Sequence, residues 1–196
     1  MKDYAKLGRI LMEQLIYEVN ADTGPCFYPG KFKPPHKGHF AAAKYLADQP
    51  YINMVYVVIS NVEKYGITAE DSLKIWNDYL KAEPNAKIKV KVSTEGTPVK
   101  DIFRFAAQNP DLTSIYVASA ATEQEELGYF NKLKEKFPNL IKPITIPDQF
   151  ERISATQMRQ AIKNGDFKEF SRFVPDAAYN KGITKDVFGM LTKIIK

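Results

Sequence analysis

The chain has 196 residues, with 28 Lys+Arg against 23 Asp+Glu for a formal charge of +5, one Cys and two His. One Cys excludes a disulfide framework and a Cys-based zinc site, and no apolar run nears the ~20 residues of a membrane span. Hydrophobic residues at 44% and charged residues at 26% describe a globular chain, and the mild positive balance suits a phosphorylated ligand without demanding a nucleic acid.

Residues 1–20 alternate charged and apolar positions and lack the apolar stretch of a signal peptide. The expectation is a soluble, cytoplasmic protein with one domain over 1–196. Leu7, Leu11, Leu15 and Val19 recur at helical spacing, predicting a helix over 3–19. Pro25 to Tyr28 reads as a strand entering a turn at Pro29-Gly30, and His39 to Asp48 as an Ala-rich helix. Met54 to Ser60 is almost continuously apolar and β-branched, as a central parallel strand requires. Thr68, followed by Glu70 and Asp71, caps a helix running to Ala82.

Lys87 to Ser93 alternates strictly, a strand with one wetter face. Val99 to Gln108 reads as a helix stopped by Asn109-Pro110, and Thr113 to Ala118 as a buried strand. Glu123 to Phe137 is a charged helix and Ile141 to Ile146 a fifth strand. Thr156 to Lys163 is helical and closed by Asn164-Gly165; a last amphipathic helix spans Lys185 to Ile195, within a C-terminal element over 180–196. Strands alternating with helices of this length imply an α/β, doubly wound, Rossmann-like sheet of about five parallel strands, with helices on both faces. Right-handed crossovers place the strand C-termini on one edge, where ligands bind.

The entire histidine content sits at His36 and His39, a spacing that about 1 random placement in 100 would produce. The pair lies in Gly30–His39, between the first strand and the following helix, where α/β sheets bind anions. Gly30 permits a sharp turn or close approach to a ligand. Pro34 and Pro35 stiffen the loop, and Gly38 is expected to leave room for a phosphate near the backbone N–H groups. Lys31, Lys33 and Lys37 add ammonium groups to the imidazoles; a polyphosphate would resolve that cluster of charge. A metal half-site is disfavoured by the absence of a third His and of nearby carboxylates. The stretch Arg152–Arg159 follows the fifth strand and opens a helix. Ser154 or Thr156 can cap it and offer a hydroxyl to a phosphate, and Arg159, one turn in, can reach the same anion with a planar fork.

GKFKPPHKGH (Gly30–His39) together with ISATQMR (Ile153–Arg159) resembles the nucleotidyltransferase superfamily, whose signatures are an H-x-G-H loop and an I-S-x-T-x-x-R helix start. Within it the loop is most similar to the GRFQPFHKGH form of archaeal-type nicotinamide-mononucleotide adenylyltransferases, enzymes of NAD biosynthesis. Ser60 and Ile67–Glu70 also resemble that group's segment after the second strand. Lys31, Lys33 and Pro35 stand where Arg, Gln and Phe are usual, and Val117–Ala120 lacks the group's Gly and acidic residue.

The resemblance implies transfer of a nucleoside monophosphate, AMP from ATP in preference to CMP from CTP, onto a phosphorylated small-molecule acceptor. His36, His39 and Arg159 are the implied catalytic residues; Gly30, Lys31, Phe32, Lys37, Gly38, Ser154 and Thr156 are the implied nucleotide-binding ones. Mg²⁺ is expected to arrive on the triphosphate, with no protein-held metal. A cytidylyltransferase acting on a polyol or sugar phosphate, and a nucleotide-binding protein without catalysis, remain open. A nucleic-acid-binding role has only the mixed basic and aromatic run Lys168–Phe173 in its favour, and that run also holds an acid. The terminal helices lie outside the resemblance and are read as packing or oligomer elements, which leaves a homo-oligomer open.

Overall fold

The computed structural model describes residues 23–120, 124–150 and 153–195. Five strands, β1 (Gly24–Gly30), β2 (Ile52–Ile59), β3 (Ile88–Val92), β4 (Ile115–Ala120) and β5 (Ile141–Ile146), form one parallel sheet in the order β3-β2-β1-β4-β5. The helices α1 (Lys37–Ala47), α2 (Ala69–Ala82), α3 (Pro98–Gln108) and α4 (Gln124–Lys136) connect successive strands. After β5 come a 3₁₀ turn, Asp148–Phe150, and four further helices: α5 (Ala155–Lys163), α6 (Phe167–Ser171), α7 (Asp176–Asn180) and α8 (Ile183–Ile194). The expected doubly wound sheet is therefore present. The helix expected over 3–19 lies outside the described residues. Sequence periodicity did not separate the 3₁₀ turn, α6 or α7, which are too short to carry it.

The period of two along each strand assigns side chains to two cores. Cys26 and Tyr28 of β1, Val55, Val57 and Ile59 of β2, and Tyr116 and Ala118 of β4 face a core filled by Phe40, Trp76, Met158 and Leu191. Phe27, Val58, Ile115 and Val117 face the opposite core with Ile102, Ala106 and Leu133. Near-continuous apolarity in β1, β2 and β4 is thus the consequence of burial on both faces. At the sheet edge β3 is wetter, with Lys89 exposed and Lys91 half-buried, where charged side chains discourage further pairing. The Cys26 thiol is buried and pushed up to about 12 by desolvation, a core residue with no nucleophilic character.

The helix ends follow their sequence signals. Thr68 and Asp71 form a reciprocal capping box on α2. Beyond α5, Gly165 at φ 67° directs its N–H to the Ile162 carbonyl and that of Asp166 to the Ala161 carbonyl, closing a Schellman motif. The apolar face of α8, with Val187 and Leu191 buried, packs within the chain, so that face serves folding and is not free for a second copy. No helix among the described residues is long and apolar enough to cross a membrane.

Candidate active site

The chain connections diverge from β1 toward β2 on one side and β4 on the other, so a crevice opens beyond the C-terminal ends of β1 and β4. There a cleft of about 890 Å³ is lined by Gly30, Lys31, Phe32, Lys33, His36 and His39 after β1, by Lys64 and Tyr65 after β2, and by Thr156 and Arg159 of α5. The two segments picked out in the sequence therefore meet although 126 residues separate Arg159 from Lys33: the Arg159 guanidinium donates to the Lys33 carbonyl at 2.9 Å.

His36 is the N-cap of α1 and His39 its third residue. The backbone N–H of His39 donates to His36 Nδ1 at 3.4 Å, and that of His36 donates to His39 Nδ1 at 3.2 Å. The rings stack with centroids 3.6 Å apart and planes within 17°. Because each Nδ1 accepts, each neutral ring carries its proton on Nε2. Burial pushes His36 down to about 4, and burial, then the neighbouring His36, holds His39 well below the usual imidazole range. The site thus presents two neutral, parallel Nε2–H donors fixed by the helix backbone.

Phe32 holds this pair in place. Its backbone is left-handed at φ 50°, and its ring, 4% exposed, meets His39 edge-on at 5.0 Å and Trp76 edge-on at 5.5 Å. The Ser72 hydroxyl donates to the Phe32 carbonyl at 2.8 Å, supporting a conformation that costs a non-glycine residue of order 1–3 kcal/mol. The same fold explains Gly30: a Cβ there would lie 2.5 Å from the Phe32 ring. Phe32 therefore acts as a buried prop with one edge on the cleft.

Three residues assigned to nucleotide binding do not line the cleft. Gly38 packs against the chain: a Cβ would meet the Phe150 carbonyl oxygen at 2.3 Å, so the room its missing side chain leaves is filled by the post-β5 turn. The backbone N–H of Lys37 is spent on the Phe173 carbonyl at 2.7 Å, and that of His39 on His36, so these donors at the α1 N-terminus are not aimed at a ligand. Ser154 is the N-cap of α5 and accepts from the Gln157 N–H at 3.4 Å.

Arg159 is held by two motif residues and by one neighbour, Tyr65, that no motif named. Besides Lys33 it donates to Thr156 Oγ1 at 2.9 Å, and its guanidinium lies 3.8 Å above the Tyr65 ring. Tyr65 is 49% exposed and sits in a turn, Lys64 to Ile67, with φ 59° at Tyr65 and 76° at Gly66. Only a Tyr-Gly pair marked this turn in the sequence. Lys33, Lys64, Ser119 and Asp148 also line the cleft. Among the described residues no group of three or more His, Cys, Asp or Glu side chains converges as a metal site would require.

No family model and no curated protein matches the chain. Among solved structures it is similar to Plasmodium falciparum nicotinic acid mononucleotide adenylyltransferase complexed with APC, with 15% identity and a TM-score of 0.58 over 84% of this chain and 96% of that one. The same enzyme complexed with NaAD gives 16% identity and a TM-score of 0.52 over 85% and 98% of the two chains. At this identity the likeness establishes the fold.

Proposed function

We propose that the chain is a nucleotidyltransferase that moves a nucleoside monophosphate, AMP from ATP, onto a phosphate monoester and releases pyrophosphate. The observation that carries this reading is the His36–His39 pair, two Nε2–H donors fixed on backbone caps and facing the same cleft as Arg159. An acceptor phosphate is already ionised at neutral pH, so no general base is needed, and catalysis reduces to alignment and charge stabilisation. The acceptor oxygen attacks the α-phosphorus in line; the new P–O bond forms as the bond to the bridging oxygen breaks, and that oxygen leaves with its electron pair on pyrophosphate. His36 and His39 donate to the α- and β-phosphate oxygens as negative charge builds. Arg159 and Thr156 hold the β- and γ-phosphates, and Lys31 neutralises the cleft mouth. Mg²⁺ carried on the triphosphate would supply further charge neutralisation there.

The acceptor half of the cleft supports a ring-bearing acceptor. Val99 and Phe130, both half-buried, line it together with Thr97 and Ser119, an apolar surface on which a flat heterocycle can rest with hydroxyls at hand. With the loop's resemblance to nicotinamide-mononucleotide adenylyltransferases and the fold shared with the nicotinic acid mononucleotide enzyme, a pyridine mononucleotide is the favoured acceptor. The test is pyrophosphate release with ATP and CTP, each offered nicotinamide mononucleotide, nicotinic acid mononucleotide and glycerol 3-phosphate. Release with ATP and a pyridine mononucleotide is expected; release only with CTP and the polyol phosphate would replace this reading by the cytidylyltransferase one.

A further inference from the structure

Lys33 has a setting unlike the other cations of the cleft. Lys31 and Lys64 reach solvent and Arg159 is bonded on two sides. Lys33 lines the cleft yet is 4% exposed, and its Nζ has no hydrogen-bond partner among the described residues. Burying an ammonium without an acceptor opposes folding. Glu70, Asp71 and Glu63 stand near enough to favour its charged form, but none bonds it, and Asp71 is occupied by the Thr68 N–H and hydroxyl. An apolar side chain of similar length would fill the same space at lower cost to stability.

We propose that the Lys33 ammonium binds an anionic phosphate oxygen of a substrate in the cleft. The assignment rests on the nucleotidyl-transfer reading and adds a ligand to it. Lys33 lines the same cleft as Arg159, and its carbonyl anchors that guanidinium. An anion there supplies the missing acceptor, and because the ammonium is already stripped of water the pairing is stronger than one made by the solvated Lys31 or Lys64. Two anions qualify, the nucleotide's polyphosphate and the acceptor's monoester.

The experiment compares wild type with Lys33→Met and Lys33→Gln in two measurements: thermal denaturation without ligand, and calorimetric titration with α,β-methylene-ATP or, separately, nicotinamide mononucleotide. The expected result is a melting temperature raised by several degrees in Lys33→Met, with affinity for one of the two ligands reduced at least tenfold in both variants; the ligand affected identifies the source of the phosphate. Affinities within twofold of wild type for both ligands would overturn the assignment, whatever the melting temperature. A wild-type chain that binds neither ligand would overturn the nucleotidyl-transfer reading, and the role of Lys33 with it.

Discussion

His36 and His39 cap one helix turn reciprocally, each ring accepting the other residue's backbone N–H, with the rings 3.6 Å apart face to face. The same atoms therefore terminate a helix and set the direction of two donors. The two roles separate by substitution. Asn is as good an N-cap as His and lacks an imidazole donor in the same place. His36→Asn should keep the melting temperature within a few degrees and lower pyrophosphate release by ~10²–10³, about 3–4 kcal/mol of transition-state stabilisation. His39→Ala should lose turnover by a similar factor and also some stability, since it deletes the acceptor of the His36 N–H and the ring stacked on His36. Turnover near wild type in either variant would remove these residues from the mechanism.

The same pair makes stability depend on pH. His36 titrates near 4 when folded, against 6.5 when free, so between these values the unfolded chain holds the extra proton. Stability is full above about pH 6.5 and falls as the pH drops toward 4, by about 3 kcal/mol from this residue; His39 acts in the same direction. Urea denaturation across this range should show the slope, and His36→Asn should flatten it. A polyphosphate favours the protonated rings, so its binding near pH 6 should take up protons, read as a dependence of the calorimetric heat on buffer ionisation.

Tyr65 lies against Arg159 at 3.8 Å and packs into no core. Its ring therefore serves to hold the guanidinium plane, a cation–π contact of about 0.5–1 kcal/mol at an exposed site. Tyr65→Ala should raise KM for the nucleotide severalfold with little change in melting temperature, and Tyr65→Phe, which keeps the ring face, should restore it. Equal KM values for the Ala and Phe variants would show that the ring does not position Arg159.

Gly38 tests packing against ligand binding. With the Phe150 carbonyl 2.3 Å from any Cβ, Gly38→Ala forces backbone movement and should cost about 1–3 kcal/mol of stability, measured by denaturant unfolding. Unchanged stability with weakened nucleotide affinity would instead return Gly38 to the phosphate site.

Much of this architecture was legible in the chain. Periodicity separated MVYVVIS and TSIYVA as strands buried on two faces, and Thr68, Asn164 and Gly165 marked helix ends where they occur. Such signals are local: a strand's alternation and a cap's hydrogen bond span a few residues, so sequence spacing records them. The cleft-lining positions of His36, His39, Thr156 and Arg159 were foreseen for a related reason, since each follows a strand and opens a helix, and topology sends those points to one edge.

Tertiary structure decided what those residues touch. Gly38 and Gly30 look alike as loop glycines, yet one makes way for the Phe150 carbonyl and the other for the Phe32 ring. Tyr65 looks like any surface aromatic until the Lys64–Ile67 turn lays it on Arg159, and Lys33 like any loop lysine until burial removes its water and leaves it no acceptor. These are contacts between segments distant in the chain, which no spacing encodes. The parallel α/β sheet, the helix caps and the edge at which the cleft opens are written in the chain's local patterns; which side chains line that cleft, and which merely support those that do, follows from packing between distant segments.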